Sequence, residues 1–243
     1  MGQNKGIYMR QILASLSVAI TMMGAAPASA EGPVVIELYT SQGCSSCPPA
    51  DALLHDLADR DDVIPLALHV DYWDYIGWAD SFADPRHTVR QQGYAAAAGH
   101  NTIYTPQMVI AGQTHVIGAK PMQVADAIKA HQAPTGVAVD AAVAGGALTI
   151  TGTTEQALPA GTTVQVVRFS ARETVDIQRG ENAGRTLEYA NIVTDWQTVG
   201  EWSGADSLQL SIPVQGDAPI VVIVQQEGAA NGPGAVLATA VLR

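Results

Sequence analysis

A near-continuous apolar run, Pro33 to Thr40, is broken by Ser41-Gln42-Gly43 and followed at once by Cys44-Ser45-Ser46-Cys47-Pro48-Pro49. Val34, Val35, Ile36, Leu38 and Tyr39 suit a short buried strand of a parallel sheet. Two prolines fit a first helical turn, where a missing N–H costs little. Ala50, Leu53, Leu54, Leu57 and Ala58 then recur at i, i+3, i+4, i+7 and i+8, one apolar helix face. This stretch is committed to strand, tight turn and helix, with a pair of thiols at the helix N-terminus. These are the only two cysteines, so the functional argument rests mainly on them.

Val63 to Val70 reads as a second strand ending at Asp71, and Asp84-Pro85 supplies an N-cap and first-turn pair for a helix running to about Ala98, with Gly99 as its stop. Gln107 to Ile110 and Thr114 to Gly118, joined by Ala111-Gly112, predict a hairpin, and Pro121 opens a helix with Val124, Ala125 and Ile128 on one face. The order β-α-β-α-β-β-α is that of thioredoxin, with Asp71 to Gly99 as a larger than minimal connection. Thr105-Pro106, 59 residues beyond Cys47, opens the third strand and is a candidate cis-proline.

Composition shifts at His131 to Gly136, around Pro134, from helix-like Ala- and Lys-containing sequence to Val, Thr and Gly. Beyond it, Val137 to Val143, Ala147 to Thr151, Val164 to Phe169, Leu187 to Val193, Leu208 to Val214, Ile220 to Val224 and Val236 to Leu242 recur between turn signals, the pattern of a β-sandwich. The expected fold class is therefore an α/β thioredoxin-like domain, residues 31–133, followed by a small all-β sandwich, residues 134–243.

Residues 1–30 read as a secretory signal peptide: Lys5 and Arg10 with no acid, an apolar Ile12 to Met23, and Ala28-Ser29-Ala30 before Glu31. The apolar stretch is short for a bilayer span and no later run reaches 18 residues. The expectation is a periplasmic or secreted protein, free of the membrane after cleavage, in surroundings where a disulfide persists. The whole chain carries 12 basic and 23 acidic residues; cleavage removes two of the former and leaves a formal charge of −13. Such a surface repels nucleic acid and anionic lipid.

The succession ELYTSQGCSSCPPAD at 37–51, HVDYWD at 69–74, YTPQMVI at 104–110 and RGENAGRTL at 179–187 resembles the exported bacterial thioredoxin-like family called domain of unknown function 1223. That family offers a fold and no established reaction. The broader thioredoxin superfamily implies roles: Cys44 as attacking thiol, Cys47 as resolving thiol, and Pro106 as the cis-proline opposite them, turning the backbone of Thr105 outward to pair with an extended peptide. A helix N-terminus favours a thiolate through its dipole and unpaired N–H groups, which independently points to Cys44 as nucleophile.

The leading expectation is a thiol-disulfide oxidoreductase acting on protein or peptide disulfides with a redox partner of its own and no cofactor. The bland reading of the cysteines is a stapling disulfide, but a ring of ~4 residues removes only about 2 kcal/mol of unfolded-state entropy, against about 4.7 for ~100 residues. A soft-metal carrier combining Cys44, Cys47 and His69 around a copper ion, and a binding module without turnover, are the alternatives. Glu37, on the strand leading to the cysteines, is either a buried acid relaying a proton from the resolving thiol or an edge-facing residue in water. Tyr104 and Trp73 are candidate substrate contacts. The cluster His69, Asp71, Trp73, Asp74 and Trp78 is either a substrate wall or a strand cap with core tryptophans. Arg179 to Arg185 reads better as a solvated hairpin than as a loop closing over Cys44.

Overall fold

The computed structural model describes residues 32–243 together with Met1; the expected signal peptide lies outside the described residues. The apolar run forms β1 (Val34–Thr40), buried at every position. Its neighbour β2 (Val63–His69) is equally buried and runs parallel, so that Thr40 sits opposite His69 at the shared carboxyl ends. The dithiol segment leads into α1 (Pro48–Ala58), which lays Ala50, Leu54 and Leu57 against Ile36, Leu38 and Ala67 on one face of the pair. Helix α2 (Pro85–Ala97) begins where Asp84 accepts from the Arg86 amide and Pro85 takes the first turn. Antiparallel β3 (Gln107–Ile110) and β4 (Thr114–Ile117) follow, then α3 (Pro121–Ala130).

The second half consists of β5 (Val137–Ala144), β6 (Ala147–Thr154), β7 (Thr163–Asp176), β8 (Thr186–Glu201), β9 (Leu208–Pro213), β10 (Ile220–Glu227) and β11 (Pro233–Leu242). These strands do not make a separate sandwich. Four of them extend the first sheet, giving one mixed eight-stranded sheet in the order β11-β10-β7-β8-β2-β1-β3-β4; only β5-β6-β9 form a second sheet. The expected α/β thioredoxin-like domain followed by a sandwich is thereby overturned: the described molecule is mostly β, with three α-helices.

Two physical features explain the difference. Pro65 lacks an N–H and would mark β2 as an edge strand. Yet β8 joins β2 in parallel through Ala67 and Ile192, and Asn191 Nδ2 donates to the Pro65 carbonyl at 2.8 Å, supplying by side chain a bond that the ladder does not. Second, a buried network crosses the expected boundary. Arg90 on α2 donates to both Glu37 oxygens on β1 at 2.7 and 2.8 Å and to Gln225 Oε1 on β10 at 2.9 Å. The three-stranded sheet packs Val139, Leu148, Ile150 and Leu208 against Val164, Val166, Val222 and Val224 of the large sheet. No helix among the described residues is long and apolar enough to cross a membrane.

Candidate functional site around Cys44 and Cys47

The turn after β1 is tight because its backbone is spoken for. Cys44 N donates to Ser41 O at 3.1 Å and Cys47 N to Cys44 O at 3.2 Å. A Cβ on Gly43 would approach Trp73 and Ile76 to 3.2–3.3 Å. Cys44 and Cys47 form a disulfide with Cα atoms 5.4 Å apart. Both are buried, while Ser45 and Ser46 between them are exposed.

The helix N-terminus acts on the sulfurs less than the sequence suggests. Pro48 and Pro49 have no N–H, and the amides of Ala50 and Asp51 both donate to Cys47 O, at 2.8 and 3.1 Å. The first turn therefore offers the dipole of α1 to a thiolate but no free amide among Pro48 to Asp51.

The Thr105–Pro106 peptide is cis. Pro106 is buried, and its place against α1 is set by Gly118, where a Cβ would lie 2.7 Å from Pro106 Cβ and 2.8 Å from Ala50 Cβ. Trp73 ties this wall to the cysteine turn: its Nε1 donates to Thr105 Oγ1 at 2.7 Å while its Cβ crowds Gly43. Tyr104 is 38% exposed, with its carbonyl accepting from Gln91 Nε2 at 2.7 Å. Thr105, Pro106 and Trp73 thus join one wall, with Tyr104 at its rim.

The segment between β7 and β8 is the third component, and here the expectation of a solvated hairpin is corrected. Asn182 is 1% exposed, and its Nδ2 donates to Gln42 O at 2.9 Å and to Cys44 O at 3.0 Å. Its Oδ1 accepts from Arg185 at 3.0 Å. Glu181 accepts from the Ser45 amide at 3.3 Å, and Gly180 lies against Trp78, with 3.2 Å from an added Cβ to Trp78 Cβ. The tip of a long β7-β8 hairpin is thus docked on the cysteine turn.

Glu37 is fully buried, but it shares the face of Val35 and Tyr39, opposite the one that α1 covers. Its partners are Arg90, Tyr39 at 2.9 Å and Tyr94 at 2.6 Å. Arg90 also stacks over Trp196, its guanidinium carbon 3.9 Å from the ring centroid. Glu37 is held as half of a structural ion pair.

The acid on the cysteine side is Asp51, which sequence reasoning missed. Cys47 has helical dihedrals (φ −78°, ψ −35°), so it and Asp51 stand in the i, i+4 relation, with Cβ atoms about 5–6 Å apart. Helical side chains lean toward the N-terminus, which turns this carboxyl toward Cys47. Asp51 Oδ1 accepts from Thr40 Oγ1 at 2.7 Å and Oδ2 has no protein partner. Burial pushes its pKa up to about 7, against the opposing hydrogen bond from Thr40. The signal was present in Cys-Pro-Pro-Ala-Asp: an acid between Ala50 and Leu54, on the face that packs inward.

His69 shares this face, as its register with Thr40 and its parity with Val63 and Ala67 require. It is fully buried, with Nδ1 2.7 Å from Asp80 Oδ2. The same Asp80 oxygen accepts from Gln42 N at 2.7 Å, and Oδ1 accepts from Phe82 N at 2.8 Å. Burial raises the Asp80 carboxyl, but His69 and these amides outweigh it and hold the pKa below the usual value. Among the described residues no group of three or more His, Cys, Asp or Glu is arranged to hold a metal ion. A cleft of about 360 Å³ beside α1, lined by Pro48, Asp51, His55, Asp56, Arg185 and Glu188 among others, opens toward Asp51.

Residues 35–225 match the family described as "Protein of unknown function (DUF1223)". The chain belongs to this family. A solved structure of protein AGR_C_4864 from Agrobacterium tumefaciens is similar at 35% identity and TM-score 0.74, over 86% of this chain and 93% of that one. HBP35 of Porphyromonas gingivalis is similar in fold at 15% identity and TM-score 0.61, over 87% and 74%. No curated protein matches the DUF1223 chain.

Proposed function

We propose that this DUF1223 protein is an exported thiol-disulfide oxidoreductase that exchanges the Cys44–Cys47 dithiol with disulfides of proteins or peptides. The observation that carries the reading is a short-loop disulfide at the carboxyl end of β1 whose turn is tied through Trp73 to Thr105, with a buried acid that has one unpartnered oxygen one helical turn further on. Export rests on the character of residues 1–30.

In the reducing direction, the Cys44 thiolate attacks one sulfur of a substrate disulfide. A Cys44–substrate bond forms, the substrate S–S bond breaks, and the departing thiolate takes up a proton. Cys47 then passes its proton to ionised Asp51 and attacks the Cys44 sulfur. The intramolecular disulfide forms and a second substrate thiol leaves, so two electrons pass from the dithiol to the substrate. Oxidation of a substrate dithiol runs the same steps backwards. Access to Cys44 requires the Asn182 segment to lift from the turn.

Burial of both sulfurs favours a second reading, a bridge that does not exchange. Equilibration with glutathione buffers of graded ratio separates the two. Exchange predicts a potential above about −250 mV with Cys44 alkylated first; a couple below about −300 mV, or thiols inert to oxidant and alkylator, supports the inert bridge.

A further inference from the structure

Three polar atoms among the described residues are buried without a hydrogen-bond partner: Asp51 Oδ2, His69 Nε2 and Tyr189 OH. They are not scattered. The His69 and Tyr189 rings meet edge-on at 4.9 Å, with Phe82 5.2 Å from His69 and 5.9 Å from Tyr189 closing the far side. Asp51 is tied to the same face through Thr40, which donates to its Oδ1 at 2.7 Å and sits opposite His69 in the β1-β2 register, although none of the three unpartnered atoms hydrogen-bonds another. An unpartnered buried polar group costs about 1–3 kcal/mol, and three on neighbouring elements call for a shared role.

The chemistry of each is fixed by its other contacts. Asp80 accepts hydrogen bonds from two backbone amides, so the Nδ1 position of His69 facing it carries the proton. His69 Nε2 then presents a lone pair to the interior, and a second proton there makes an imidazolium paired with Asp80, as in an Asp-His dyad of a hydrolase. Tyr189 is kept as a neutral donor: burial first, then the Asp51 and Asp80 carboxyls, push its phenol up. Asp51 follows Cys47 by one helical turn and reaches the β1-β2 face of His69 through Thr40.

We propose that the Asp80-paired His69 acts through Asp51 as a buried proton relay for Cys47, with the Tyr189 ring packed against His69 as a wall of the same site. This rests on the thiol-disulfide reading of the site. When Cys47 resolves a mixed disulfide, its thiol proton goes to Asp51 Oδ2 and, through an intervening water because the two side chains do not hydrogen-bond each other, on to His69 Nε2, which restores ionised Asp51. The sulfur keeps the electron pair and forms the bond to Cys44. In the reverse direction His69 returns the proton through Asp51 to the leaving Cys47 thiolate. The charged or titratable groups around the relay are Cys47 and Asp51 on α1, His69 on β2, Asp80 and His87 flanking it, Tyr189 on β8, and His55, Asp56, Arg185 and Glu188 at the cleft.

An aromatic disulfide such as 5,5′-dithiobis(2-nitrobenzoate), mixed with the reduced protein, separates the steps. The first thiolate released reports attack by Cys44 and the second reports resolution by Cys47. General acid-base groups contribute about 10²–10⁴-fold. Asp51→Asn is expected to slow the second phase at least about tenfold at pH 7 while leaving the first unchanged. His69→Gln is expected to slow the second phase and shift its pH profile, and the double variant to be no slower than Asp51→Asn alone. A second phase with the wild-type rate and pH profile in His69→Gln, or additive losses in the double variant, overturns the relay. Absence of a first phase in wild type overturns the exchange reading itself. A readout on wild type covers the case of a variant that does not fold. The ¹⁵N shift of His69 Nε2 is expected to respond to ionisation of the Asp51 carboxyl, followed by its ¹³C shift against pH, and a His69 ring blind to that ionisation refutes the coupling.

Discussion

Asp51→Asn is the sharpest stability test of the site, because the structure makes Asp51 costly. The wild-type carboxyl is buried and its pKa is raised from 3.8 to about 7. Between those values the folded protein binds a proton that the unfolded chain has released, so the contribution of Asp51 to stability declines as pH rises from about 4 to 7 and is flat above. At about 1.36 kcal/mol per unit, a displacement of about three units makes ionised Asp51 a penalty of up to about 4 kcal/mol. Asparagine is neutral throughout and keeps an oxygen for the Thr40 hydroxyl. Urea unfolding of the oxidised protein at pH 4.5 and pH 8.5 is expected to give similar stabilities for the two proteins at the lower pH. At the higher pH the variant is expected to be more stable by several kcal/mol, or roughly 10 °C in Tm at ~2–4 °C per kcal/mol. A variant no more stable than wild type at pH 8.5, relative to pH 4.5, refutes the reasoning. The expected result identifies Asp51 as a residue that costs the folded state stability once it is ionised.

Three further outcomes follow from the same contacts. Asn182→Ala removes two hydrogen bonds to the cysteine turn, worth about 1 kcal/mol each, so alkylation of Cys44 in the reduced protein is expected to quicken up to about thirtyfold; an unchanged rate shows that the hairpin tip does not limit access. Glu181→Gln takes a carboxylate from the Ser45 amide, and the Cys44 thiolate, followed by its ultraviolet absorbance against pH, is expected to form at lower pH; formation at higher pH contradicts this. Arg90→Met leaves Glu37 buried and unpaired, and is expected to cost about 3–5 kcal/mol by urea unfolding with no change in the rate of Cys44 attack; a changed attack rate with intact stability reassigns Glu37 to the chemistry.

What could be read in the sequence was local. Apolar periodicity, Asp84-Pro85 and the two prolines after Cys47 set β1, α1, β2 and α2 close to their observed bounds, and Thr105-Pro106 lies on the wall beside them. What escaped was long-range. The alternation of β7 past Phe169 turns polar because the ribbon leaves the core there, so it read as a strand end. The β7-β8 hairpin in fact carries Asn182 across to Cys44, 138 positions away. The two halves read as separate domains because nothing local announces that β8 pairs with β2, or that Gln225 waits for Arg90. Glu37 is a relay candidate by its place on β1, but strand parity sends it to the far face; Asp51 has helix parity with the buried side and follows Cys47 by one turn. Asp80 and Tyr189 carry no motif, and only the packed structure brings them to His69.

Trapping a mixed disulfide tests the central claim most directly. Reduced Cys47→Ser protein is incubated with a peptide disulfide and analysed by mass. The exchange reading predicts a stable adduct on Cys44 that does not accumulate when Cys47 is present, because Cys47 resolves it. Absence of an adduct on Cys44 in a folded Cys47→Ser variant contradicts the claim and leaves the pair as a bridge that does not exchange.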